Sequence, residues 1–206
     1  MRKYLSLVLL GVVSLVGLGA AVLGTVQASS GTALGQAVTN TLGSTNYSET
    51  LVEKTQQGSE TVNLVYQAPD RLGGWLQSGG RRSYLVIIDP IAYQSVTRPA
   101  SVTRAPLVFY AQQSTGAQNV DPVHHFLPFW NKGPSTRSGS VTTVTLSQGG
   151  QTEKLSFTVT GNVVTKFFAV FPGGSYLLDI SSFGTSPAVA LPKGARVVGA
   201  PGATAG

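Results

Sequence analysis

The residues able to do chemistry are few and scattered. His124 and His125 are the only histidines. Being adjacent, they point in different directions on a helix or a strand, so they do not share a metal ion. Asp121 could join one of them, but two ligands do not make a metal site. A serine hydrolase needs a nucleophile, a base and an orienting acid; serines abound, yet no Gly-x-Ser-x-Gly elbow occurs. The eight acidic residues are thinly spread, and Asp89 before Pro90 and Asp70 after Pro69 read as turn residues. Gly79-Gly80 and Gly173-Gly174 follow strands without opening helices, which makes them hairpin glycines rather than phosphate loops. There is no cysteine. Disulfides, thiolate metal sites, cysteine nucleophiles and a lipidated cysteine are thereby excluded. The expectation is no enzyme, no metal and no cofactor.

What the sequence offers instead is aromatic surface. Trp75, Phe109, Phe126, Phe129 and Trp130 are candidates to line a ligand cavity, because such pockets are mostly apolar and aromatic. The alternative for each is a place in the core. Phe126, Phe129 and Trp130 crowd one irregular segment, where lining a cavity and filling a core are evenly matched.

Charge excludes another class of partner. The chain has 206 residues, of which 11% are charged, and a formal charge of +6. Without Arg2 and Lys3 the balance is 12 basic against 8 acidic residues. The bases are dispersed, with Arg81-Arg82 the only adjacent pair after residue 3, so no basic stripe suited to nucleic acid forms. Weak attraction to anionic lipid headgroups is compatible with this balance.

The first 28 residues form an export segment. Arg2-Lys3 precede an apolar run from Leu5 to Val26, and Val26-Gln27-Ala28 supplies small or modest side chains for cleavage after Ala28. The run has 22 residues, about 33 Å as a helix at roughly 1.5 Å per residue, enough to cross a hydrocarbon core of about 30 Å. Residues 1–28 are therefore a cleaved signal peptide or an N-terminal membrane anchor. Either way the remainder is translocated, to be secreted or held on the outer face of the cytoplasmic membrane.

The elements that would position the aromatics follow. Leu34, Ala37, Val38 and Leu42 are spaced three or four apart, which predicts a helix over 32–42 ended by Gly43. After Ser44 the period becomes two. Strands are predicted over 47–56, 61–67, 71–77, 82–88, 154–160, 163–171 and 176–180, with glycine-bearing turns between neighbours, and a further strand over 107–112. Short connections describe an antiparallel meander. Pro99 to Ser140 interrupts it: residues 114–119 read as a polar loop, Asp121-Pro122 as an N-cap with proline at the first helical position, and Pro128 as a breaker. Leu85–Ile88 and Val163–Phe171 are apolar on both faces, which suits a sheet covered on one side and curved around something on the other. One domain is expected over 32–192, with residues 193–206 a disordered Gly/Ala/Pro tail.

Three stretches carry a resemblance. Tyr66-Gln67-Ala68-Pro69-Asp70-Arg71 forms an extended Ala-Pro-Asp step between strands. A pair of strands, 82–88 and 92–96, follows with Tyr93 in the second. The segment Ser181 to Pro192, with Phe183-Gly184, Val189 and Pro192, resembles a Phe-Gly-x-x-Val-x-Ile-x-x-Pro closing stretch. Together with strand order, these residues resemble the LolA-like fold, and more closely the actinobacterial LppX/LprG type of extracytoplasmic lipoprotein, here without its lipobox cysteine. The resemblance implies an α+β domain: a half-closed, curved antiparallel sheet with an N-terminal helix and a short helical lid segment. It further implies an apolar cavity for acyl chains between sheet and helices. The function implied is non-enzymatic binding or carriage of a lipid or other amphiphile. The alternative is an extracytoplasmic sensor or scaffold that binds an envelope protein. A membrane surface is the remaining partner it admits.

Overall fold

The computed structural model describes residues 33–102, 106–148 and 151–199. The export segment predicted over residues 1–28 lies outside the described residues, as do residues 200–206. Among the described residues no helix is long and apolar enough to cross a membrane.

The first element is helix α1, Ala33–Leu42. Its buried residues, Leu34, Gly35, Ala37, Val38 and Thr41, recur at the spacing that makes one face of a helix. Thr41 also fixes the helix to the sheet: its hydroxyl accepts the backbone N–H of Val164 at 2.8 Å. Strands β1 (Asn46–Thr55), β2 (Gly58–Gln67), β3 (Arg71–Ser78), β4 (Arg81–Ile88), β5 (Ile91–Ser95), β6 (Arg98–Pro99) and β7 (Val108–Gln113) come next. Helices α2 (Ala117–Val120) and α3 (Pro122–Phe126) and a 3-10 helix (Leu127–Asn131) separate them from β8 (Ser135–Ser138), β9 (Val141–Gln148), β10 (Gln151–Thr160), β11 (Val163–Phe171), β12 (Gly174–Ser181) and β13 (Arg196–Val198).

All the strands join one sheet in the order β13-β7-β5-β4-β3-β2-β1-β12-β11-β10-β9-β8, with β6 paired to β4. Two meanders meet where β1 lies antiparallel to β12, Ser48 opposite Ser181. The sheet is unclosed, and β7 and β8 stand near its opposite ends. The chain between them must therefore cross the whole sheet, and it does so carrying α2, α3 and the 3-10 helix. That crossing is what makes residues 114–134 a lid. The sheet curves round α1 and the lid. Inward-facing side chains from both meanders, among them Tyr47, Leu64, Leu72, Phe157, Phe167 and Leu178, join the helices in a single buried core. This is the α+β architecture expected from the sequence.

Hairpin chemistry sets the register. Gly79 and Gly80, at φ 54° and 73°, form a two-residue turn that leaves Ser78 opposite Arg81. Two successive positive φ values are what that turn needs, and glycine meets them without strain.

The outer face has a smaller core of its own. Val86, Phe109 and Val189 are buried there, with Val65, Ile88, Tyr93 and Leu191 packed around them. After Phe183, which packs on the inner side against Tyr47, the chain runs across this face to Ala195, held by the Val189 N–H, which donates to Gln67 Oε1 at 2.8 Å. This explains why β4 is apolar on both faces: Leu85 and Ile87 meet the inner core, Val86 and Ile88 the outer one. The segment comes so close that a Cβ at Gly73 would stand 2.9 Å from Val189 Cγ1. We predict that Gly73→Val forces Val189 off the sheet and makes residues 183–195 cleave several-fold faster in limited proteolysis; unchanged cleavage would show that this segment is anchored elsewhere.

The structure corrects the sequence reading at three places. The tail from residue 193 is not wholly disordered: Arg196–Val198 adds a parallel strand beside β7, Arg196 opposite Val108. Residues 114–119 are not all loop, because Ala117 starts α2 and its N–H donates to Asp89 Oδ2 at 3.0 Å. Strands β8 and β9 were unforeseen. The inward positions of β9 are Thr142, Val144 and Leu146, and one threonine among two apolar residues blurs the alternation.

Candidate ligand pocket

The lid is pinned at its N-terminal end by a polar cluster under α3. Asp121 caps the helix, accepting the His124 backbone N–H at 3.2 Å, with Pro122 in the first turn, where its missing N–H is not needed. Asp121 is fully buried. The same carboxylate oxygen, Oδ2, also accepts the Tyr47 hydroxyl from β1 and meets His124 Nδ1. Tyr47 Oη lies 3.2 Å from His124 Nδ1. Tyr66 stacks on Tyr47 at 5.1 Å between ring centroids and tilts against His124 at 5.0 Å.

Glu49, two residues along β1, is 2% exposed and faces the same cluster. Burial, and then the neighbouring charge of Asp121, hold its carboxyl well above the ordinary glutamate range. Burial, followed by Asp121 and Glu49, likewise drives the Tyr47 phenol upward, so it stays a donor. Neither oxygen of Glu49, nor Asp121 Oδ1, makes a hydrogen bond of ordinary geometry. A proton held between the two carboxyls would satisfy them together.

The other end of the lid rests on carbon. α3 stops at Phe126, and the chain tightens into the 3-10 helix with Pro128 in its first turn. Phe126 stacks on Phe167 at 4.9 Å and tilts against Tyr176 at 5.3 Å. Beside this stack, Phe126 and Phe129 from the lid and Leu146, Leu155, Phe167 and Phe171 from β9–β11 wall a cavity of about 20 Å³. That is room for about one water, and the wall is apolar except for Glu153 and Tyr176. Phe129 and Phe171 are only half-buried, so the seam between lid and sheet is thin.

The five aromatics expected to share a cavity are not brought together. Phe126 and Phe129 line the pocket. Trp130 packs against the inner core without forming the pocket wall. Phe109 is buried in the outer cluster. Trp75, opposite Tyr84 on β3, lies under the Arg82 guanidinium at 4.2 Å. The reason is strand parity, because β7 and β3 turn these two side chains away from the helices. The sequence reading missed Phe167, Phe171, Leu155 and the cluster around Asp121. Tyr47, Glu49 and Leu51 fall on one side of β1, so the period-two pattern that finds the core also marks Glu49 as buried.

No family model matches the chain, and no curated protein does. Among solved structures it is similar to the crystal structure of LprF from Mycobacterium bovis, with 11% identity over 78% of this chain and 95% of that one and a TM-score of 0.44.

Proposed function

We propose that this domain is a non-enzymatic, extracytoplasmic binder or carrier of a lipid or other amphiphile, taken up between the lid and β9–β12. The observation that carries the reading is the apolar seam. The lid is pinned by polar bonds at Asp121, while its far end sits on half-buried phenyl rings over a small apolar cavity. A cavity of about 20 Å³ is far below the roughly 300–1,000 Å³ of ligand pockets. Ligand uptake therefore requires the 3-10 helix to lift while α3 stays pinned. Each CH₂ then moved from water into the seam contributes about 0.8 kcal/mol. Export rests on residues 1–28; finding full-length soluble protein in the cytoplasm of the native host would end that part of the reading.

One observation favours a second reading, a sensor or scaffold that binds an envelope protein: the interior is filled by its own side chains, Phe157 and Phe167 being at most 1% exposed. The test is displacement of a fluorescent fatty acid, alongside native mass spectrometry of purified protein for co-purified lipid. Carriage predicts saturable binding. We predict that Phe129→Ala weakens it about tenfold or more, while urea melts move less than the roughly 3–5 kcal/mol of a buried Phe truncation. Absence of any amphiphile binding by the unmodified protein would discard carriage and leave the sensor reading.

A further inference from the structure

Strand parity sorts the charges of this sheet. Glu49, Glu53, Glu60 and Glu153 are four of the five acidic residues on the described strands. Each shares a face with inward-pointing core residues of its own strand, Leu51, Leu64 and Leu155 among them. The fifth, Asp179, faces outward and is paired with Lys166 at 3.2 Å. Six of the nine cations on the described strands occupy outward positions, while Arg81, Arg137 and Arg196 lie at inward ones. Arg82 and Arg98 stand directly opposite each other on β4 and β6, and Lys54, Lys154 and Lys166 lie on β1, β10 and β11.

The outer face is also apolar where residues 184–195 do not cover it. Phe168 is 39% and Val170 49% exposed on β11, with Leu177 opposite Phe168 and Val52 opposite Leu177 on the adjoining strands. At the other end of this face, the Arg82 guanidinium lies over Trp75 at 4.2 Å and that of Arg98 over Tyr84 at 5.6 Å. Arg82 donates to Gln77 Oε1 at 2.8 Å, a neutral acceptor that leaves its charge uncompensated. Arg82 and Arg98 thus place two cations side by side on this face.

We propose that the uncovered outer face, from Arg98 and Arg82 through Lys54 to Lys154 and Phe168, docks onto the anionic surface of a phospholipid bilayer. Cations matched to anionic headgroups, aromatic rings at headgroup level and protruding apolar side chains are the chemistry a bilayer interface recognises. The surface is on the opposite side of the sheet from the lid pocket. It therefore stands or falls independently of amphiphile carriage.

The test is sedimentation of the full chain with vesicles of phosphatidylcholine alone or with about one third phosphatidylglycerol. The apolar run at residues 5–26 partitions into both, so the quantity read is the ratio of the two affinities. That ratio should be well above one and should fall with added salt. Arg82→Gln with Arg98→Gln should lower anionic-vesicle affinity about 25-fold, at roughly fivefold per charge. Lys54→Gln with Lys154→Gln removes two exposed charges that anchor nothing, so it tests the face even if the arginine variant folds poorly. Lys132→Gln with Arg137→Gln, near the lid, should change nothing. Equal affinity for the two vesicles, or an equal loss in the lid-side control, would overturn the proposal.

Discussion

Asp121→Ala is expected to destabilise the domain by about 4 kcal/mol in urea melts at neutral pH, more than most substitutions to alanine of a polar residue. The side chain does three things at once. It caps α3 through the His124 N–H, accepts the Tyr47 hydroxyl, and meets His124 Nδ1. Loss of a cap costs about 1 kcal/mol, and each buried donor left without an acceptor costs about 1–3 kcal/mol more. Asp121→Asn retains an oxygen for the cap and should cost about half as much. A loss under about 1 kcal/mol for the alanine variant would mean that water replaces the carboxylate and that α3 is not pinned here.

Glu49 yields the second large effect, read as a dependence on pH. Its carboxyl holds a proton more tightly in the folded protein than in the unfolded chain, because of burial and then Asp121. As pH rises past the ordinary glutamate range, the unfolded chain releases that proton first. The folded state then binds more protons, so stability falls with increasing pH up to the raised folded value, at a limit of about 1.4 kcal/mol per pH unit. Below the ordinary range both states are protonated and this contribution to the slope vanishes. Glu49→Gln has no proton to lose, so its stability should be flatter across that window and should exceed the unmodified protein's at the alkaline end. Replacing a buried ionisable group without breaking a geometry that depends on it is often neutral or stabilising. Parallel pH profiles for the two proteins would place the Glu49 carboxyl in contact with water.

The contrast between these residues shows how much of the site could be read from sequence. Asp121-Pro122 announces a helix start through local chemistry, and α3 begins there. Pro128 ends α3, and its place in the first turn of the 3-10 helix follows from the same missing N–H. Glycine turns and period-two runs marked β1, β3, β4, β11 and β12 to within two residues, and β2 and β10 to within three. The pairing of Asp121 with Tyr47 was not legible, because it joins positions 74 residues apart and depends on a lid crossing from one side of the sheet to the other. Composition singled out Trp75 and Phe109 as aromatics, but which face each occupies depends on register, and a step of one residue reverses it. Strand β13 escaped notice because three residues in a Gly- and Ala-rich tail carry no periodic signal.

The seam between β1 and β12 also bears on when this chain can fold. β1 gains its neighbour β2 at once, through a hairpin, but its other edge stays open until residues 174–181 arrive. A contact between Ser48 and Ser181 closes a very long loop, and such topologies fold slowly because the entropy of closure is lost before any contact rewards it. During synthesis from the N-terminus, the first meander is thus a half-sheet with an open edge and an uncovered apolar face. The lid reaches it only later, and residues 183–195 last of all. For the export proposed above this delay is useful, since the tertiary structure that would block passage across a membrane cannot close until residues 174–181 have been made.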